Sequence, residues 1–195
     1  MSNKLKINSV RPTDSLAYLN GFIVDYSTPS SDKTWEMVSR GGIDRLESEL
    51  FSNKTYCDAV MIFAKNRESS KLVVLKEYRV TAGKYVYMLP AGLLDPGENI
   101  ELAAKREFKE ETGLDLDIVK IEKERYTSIG LTNERIAIAF GYYDGNPSKE
   151  NQEASEDAEI LMVDREMAIE ILRDGEVSIR TAILFDHFFN LNDFI

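Results

Sequence analysis

Apolar residues recur along the chain in two rhythms. Beyond Asp58, short runs rich in β-branched and aromatic residues cover 59–64, 72–78 and 85–89. Turn formers at Arg67-Glu68-Ser69-Ser70 and at Gly83 separate them, as between neighbouring strands. Residues 118–127 and 135–143 read as two longer strands, and 160–163 as a short one. A helical rhythm interrupts this series. Ile100, Ala104 and Phe108 fall four apart, so the spacing predicts a helix over about 100–112, with Asn99 as N-cap, Glu101 in its first turn and Gly113 as its stop. Asp164 is placed to cap a helix running to about 173, which Asp174-Gly175 ends, and 178–190 is amphipathic. Upstream, β-rich 20–26 and 34–38 flank the polar stretch 27–33, which predicts a hairpin or small sheet. Ile43, Leu46 and Leu50 space out a short helix over 43–53, and 145–159 is a polar, acidic surface loop. The organisation expected is a small N-terminal β subdomain over 1–54 followed by a main domain over 55–195.

Composition narrows the classes. At 195 residues the chain can bury one good core with a small appendage. Its 43% hydrophobic and 30% charged residues are those of a globular protein, and no apolar run approaches the roughly 18 to 20 residues of a membrane span. The first ten residues, MSNKLKINSV, lack the apolar segment of a secretory signal, and a cytoplasmic protein is expected. Cys57 is the only cysteine and His187 the only histidine, so both read as structural, and His-based triads or His-rich zinc sites are excluded. The net charge of −10 argues against nucleic-acid backbone as a partner.

The chemistry concentrates in Gly92 to Leu114, GLLDPGENIELAAKREFKEETGL. Glu107, Glu110 and Glu111 stand at i, i+3 and i+4 and share one helix flank. Like charges at that spacing repel, and a helix C-terminus prefers cations, so the cluster is locally unfavourable. A divalent cation would reverse both penalties, and hard oxygen ligands suit Mg²⁺ or Mn²⁺. A solvated acidic face is the bland alternative.

The spacing of the whole stretch decides between them. Gly92, five residues, Glu98, seven residues, Arg106-Glu107-Phe108, one residue, Glu110-Glu111, one residue, Gly113-Leu114 resembles the Nudix box at every defining position, with Phe108 a bulky choice where the family usually has an aliphatic. The resemblance implies a Nudix hydrolase: an α+β, α/β/α sandwich with a mixed sheet. It also implies Glu107 and Glu111 as principal Mg²⁺ ligands, Glu110 as an auxiliary one, and Arg106 with Glu98 as the ion pair that orients them. Leu89-Pro90-Ala91-Gly92 is similar to the approach to the box in ADP-ribose pyrophosphatases, with Met88 replacing a usual Glu, and it implies the Ala91 carbonyl as a further metal ligand. Pro90 and Gly92 are expected to hold that stretch away from helix and regular strand.

The same subfamily is echoed elsewhere. Lys33 to Arg40 resembles its Trp-Glu-x-Val-x-Arg segment, which implies Trp35 stacking on the adenine, with Phe22 opposite, and Arg40 holding the diphosphate or terminal ribose. Lys76-Glu77-Tyr78-Arg79 resembles its Lys-Gln-x-Arg motif and makes Arg79 a diphosphate ligand, with Glu77 where Gln is usual and Val80 where Pro is common. In the acidic loop Glu156, or else Glu153, matches the glutamate that assists catalysis. Ile129 stands where the subfamily usually has proline. The activity implied is hydrolysis of the diphosphate of ADP-ribose by a homodimer, with the N-terminal β subdomain, a sheet that the subfamily exchanges between copies, as the dimerisation element. The alternatives are another nucleoside diphosphate sugar, such as GDP-mannose or ADP-glucose, or a noncatalytic ADP-ribose sensor.

Overall fold

The apolar runs become strands and the helical stripes become helices in the computed structural model, which describes residues 6–15, 17–150 and 158–191. Strands β1 (Lys6–Ser15), β2 (Asn20–Ser27) and β3 (Asp32–Ser39) come first, then helix α1 (Ile43–Ser52). Next are β4 (Ala59–Asn66), β5 (Leu72–Arg79), β6 (Lys84–Met88) and β7 (Ala91–Leu93), leading into α2 (Ile100–Thr112). The chain continues through β8 (Asp117–Tyr126), β9 (Arg135–Tyr143) and β10 (Ala158–Val163) to α3 (Arg165–Asp174) and α4 (Ile179–Phe189). Two compact units result: Met1–Asp58 with Glu124–Ile136, and Ala59–Lys123 with Ala137–Ile195.

The first unit is built on the antiparallel meander β1-β2-β3. Its register sets Phe22 between Pro12 and Met37, and Val24 between Val10 and Trp35, so strand alternation places these residues on one apolar face. No hydrophobic pattern announces β1, whose residues are mostly polar and include a proline. Both features suit an outer strand, where a missing N–H costs no ladder bond. Residues 124–136 join this unit: the Val38 N–H donates to the Leu131 carbonyl at 3.0 Å, and the Arg40 guanidinium pairs with Glu134 at 2.7 Å.

The second unit carries the larger sheet, ordered β10-β5-β4-β9-β8, with β6 beside β5 and β7 beside β4. Val60 and Ile62 of β4 and Leu72 to Leu75 of β5 are all buried, as expected for central strands covered on both faces. Most pairings are antiparallel. β9 runs parallel to β4, for Asp58 N–H donates to the Arg135 carbonyl and, nine residues on, Arg67 N–H to that of Tyr143. The sheet is therefore mixed. Tyr143 packs on Phe108 of α2 at 6.1 Å between ring centroids, while Phe63 meets both Phe140 and Phe188 of α4. Phe140 and Tyr143 are three apart on one strand and point to opposite faces, so α2 and α4 cover the two sides. β7 corrects an expectation: Ala91–Leu93 pairs with β4 at Ala59 to Met61, so the stretch before the box helix is a short strand and not a free loop.

Candidate active site

Helix α2 is fixed at both ends. The Asn99 side chain accepts from the Leu102 N–H at 2.9 Å, and Gly113 closes the helix at φ +74, donating its N–H to Lys109. Ala103, Ala104, Phe108 and Thr112 are buried against the sheet. That burial leaves Glu107, Glu110 and Glu111 on the flank, with β7 running beside it.

Arg106 is the hub of this flank. Its Nε and Nη2 grip the two Glu98 oxygens at 3.1 and 2.9 Å, a bidentate pair. Nη1 donates to Glu107 at 2.8 Å and to Glu110 at 3.0 Å, and Nη2 also donates to the Leu93 carbonyl of β7 at 3.0 Å. One guanidinium thus offsets three carboxylates, among them Glu107 and Glu110, two members of the cluster whose spacing imposes repulsion. Glu98 in turn accepts from the Asp95 N–H at 3.0 Å. The Arg106 bonds first, and the Asp95 N–H second, hold the Glu98 carboxyl below its ordinary range, while Glu98 above all raises Arg106.

Gly92 has a steric role here. A side-chain carbon on it would fall about 2 Å from the Glu107 carboxylate group. Only glycine lets that carboxylate lie against the strand. One residue earlier, the Ala91 N–H donates to Glu111 Oε2 at 3.1 Å, so β7 positions two of the three helix carboxylates.

Other expected site residues are placed as follows. Arg79 ends β5 with Nη1 on Glu77 at 2.7 Å. Phe22, Trp35 and Arg40 belong to the first unit: Phe22 is 2% exposed and committed to packing, Trp35 is 50% exposed, and Arg40 holds Glu134. Glu156 and Glu153 lie outside the described residues. The sequence could not show that Asp95, through its N–H, and Leu93, through its carbonyl, belong to the Arg106 network, because backbone contacts leave no residue-type signature.

Among the described residues, no three His, Cys, Asp or Glu side chains stand grouped for a metal ion, and Glu107 and Glu110 are turned to Arg106. The donor chemistry nonetheless suits a hard divalent cation, with carboxylate oxygens from Glu107, Glu110 and Glu111 on one flank. Such an ion would take over charge that Arg106 now offsets.

Comparison with known proteins gives concordant results. The NUDIX domain model matches residues 55–184. "Putative nudix hydrolase 2" of Caenorhabditis elegans is 37% identical over 116 residues, 55% of this chain and 52% of that protein. ADP-ribose pyrophosphatase of Saccharomyces cerevisiae is 32% identical over 140 residues, 69% of this chain and 56% of that protein. ADP-ribose pyrophosphatase of Bacillus subtilis is 31% identical over 121 residues, 61% and 64% of the respective chains. The matches thus span between about half and two thirds of these relatives' lengths. A solved structure described as an ADP compounds hydrolase superposes with a TM-score of 0.73 over 96% of this chain and 92% of that one, at 20% identity, a likeness of fold.

Proposed function

The chain belongs to the NUDIX domain family, and from that premise we propose that it hydrolyses the diphosphate bond of a nucleoside diphosphate sugar, with ADP-ribose as first substrate, to AMP and ribose 5-phosphate. The observation that carries the reading is the Arg106 hub, which ties Glu98, in the turn before α2, to Glu107 and Glu110 on the helix flank while β7 holds Glu111. The relatives named ADP-ribose pyrophosphatase favour the ADP-ribosyl substrate.

In this reading Glu107, Glu111, Glu110 and the Ala91 carbonyl hold Mg²⁺, or Mn²⁺, which supplies Lewis-acid stabilisation of charge on the diphosphate. Glu98 orients Arg106, and Arg106 fixes the rotamer of Glu107. Arg79 and Arg40 bind phosphoryl oxygens, and Trp35, half exposed, offers a stacking face to the adenine worth about 1 to 3 kcal/mol. Glu156 takes the proton of the attacking water. Water adds at phosphorus and the P–O bond to the departing phosphate breaks, so no covalent enzyme intermediate is needed.

The test is product analysis with Mg²⁺ against ADP-ribose, ADP-glucose, GDP-mannose, NADH and diadenosine polyphosphates. Release of AMP and ribose 5-phosphate from ADP-ribose is expected, and Glu111→Gln should fold normally and lose at least about 100-fold in kcat. Near wild-type turnover by Glu111→Gln would remove the metal-site argument. Ile129, 71% exposed in place of the subfamily's usual proline, favours a second reading in which the leaving half is a hexose. Preference for ADP-glucose or GDP-mannose would establish it.

A further inference from the structure

Strand β5 ends in two charged side chains on one face. Glu77 and Arg79 are two apart, so strand alternation points them the same way, and Arg79 Nη1 lies 2.7 Å from Glu77 Oε1. The strand end is well fixed. The Arg79 carbonyl accepts from the Ala82 and Gly83 N–H groups, each at 2.9 Å, and Tyr78 packs edge-on against Tyr85 of β6 at 5.3 Å. Lys84, the register partner of Arg79 across the hairpin, is itself tied to Glu176 at 2.6 Å. Both cations at this hairpin end therefore carry a carboxylate partner, and neither presents its full charge.

We propose that Glu77 is a specificity-determining residue that partly cancels Arg79, so that the enzyme accepts diphosphate linkages and discriminates against substrates with additional phosphate charge. The inference rests on the reading of Arg79 as a diphosphate ligand. A phosphoryl oxygen meeting Arg79 shares its fork with a carboxylate that cannot donate a hydrogen bond. The two phosphates of a nucleoside diphosphate sugar still gain from the guanidinium. A third phosphate adds negative charge that the Arg79–Glu77 pair, close to neutral as a whole, does little to stabilise. Glutamine keeps the size and can hydrogen-bond Arg79, but it removes the charge.

Steady-state kinetics with ADP-ribose and with ATP test this on wild type, Glu77→Gln, Arg79→Ala and the double variant, alongside calorimetric binding of ADP-ribose in EDTA. In Glu77→Gln the KM for ADP-ribose should fall about threefold while kcat moves less than about twofold. The preference for ADP-ribose over ATP, as a ratio of kcat/KM, should narrow about tenfold. Both effects should vanish when Arg79 is alanine. Unchanged KM and unchanged preference in Glu77→Gln would overturn the proposal, as would an effect that persists without Arg79. If wild type turns over neither compound but Glu77→Gln still binds ADP-ribose more tightly in EDTA, the hydrolase reading and the discrimination both fall, and only the cancellation of Arg79 by Glu77 stands. If wild type hydrolyses ADP-ribose and Glu77→Gln is silent in both assays, the hydrolase reading stands and the role of Glu77 falls.

Discussion

Arg106 gathers oxygens from Glu98, Glu107, Glu110 and Leu93, and the surroundings of each partner decide how firmly it is held. Glu98 is the clearest case: its side chain is 13% exposed and accepts from both Arg106 and the Asp95 N–H. A carboxyl lowered from its ordinary value of 4.5 contributes stability that is complete above that value and lost as pH falls through the folded one. Glu98→Gln removes this contribution. The loss of Tm between about pH 5 and pH 3 should therefore be shallower in the variant than in wild type. Superimposable acid limbs would show that the pair does not couple to folding. The sequence made the glutamates, Arg106 and Gly92 legible as a set, because their types and spacing are constrained together. It did not show why Gly92 is required. That reason is the Glu107 carboxylate lying where a side chain would be, a contact between a strand and a helix fifteen residues apart.

Helix α2 was legible to its caps because every capping signal is local: Asn99 binds a donor three residues on, and Gly113 takes the left-handed turn. β1 and β7 were not. One is a polar outer strand paired across a turn, and the other is three residues containing a glycine, so neither has periodicity to read. The left-handed cap also has a tertiary side. A Cβ on Gly113 would come within 2.7 Å of the Ser148 carbonyl, whose own N–H donates to Thr112 at 2.8 Å. Gly97, with φ +83, has nothing near its Cβ position. Gly97→Ala should therefore cost only the left-handed penalty, about 1–2 kcal/mol. Gly113→Ala should add the displacement of Ser148 and cost about 3 kcal/mol, a Tm fall of about 6–12 °C. Equal losses in the two variants, measured by thermal denaturation, would mean that the Ser148 stem yields freely.

At the scale of the molecule, one carboxylate shows how residues distant in sequence become a unit. Asp58, with its side chain 2% exposed, receives the Arg45 guanidinium of α1 at 2.7 Å and the Arg135 N–H at 2.9 Å. Arg45 also reaches Glu49 at 3.0 Å, and Glu49 accepts from Asn133 at 2.5 Å. Burial opposes the Arg45 charge, yet Glu49 and Asp58 more than offset it and raise its pKa. These bonds tie α1, Asp58 and 133–135 together, and the Val38–Leu131 and Arg40–Glu134 contacts join them to the N-terminal meander, although 124–136 begins ten residues beyond the box. No hydrophobic pattern could have announced that assignment, since polar side chains and backbone make it. Asp58→Ala leaves a mostly buried guanidinium short of a partner, which should cost about 3 kcal/mol. The cost should fall where the network is. Hydrogen exchange followed by mass spectrometry is expected to show protection lost in 17–58 and 124–136 and retained in β4, β5 and β10, because the strands of the larger sheet draw their stability from apolar burial that Asp58 does not touch. Loss spread evenly over both regions would instead mean that the molecule opens as one cooperative body, with Asp58 contributing to its global stability.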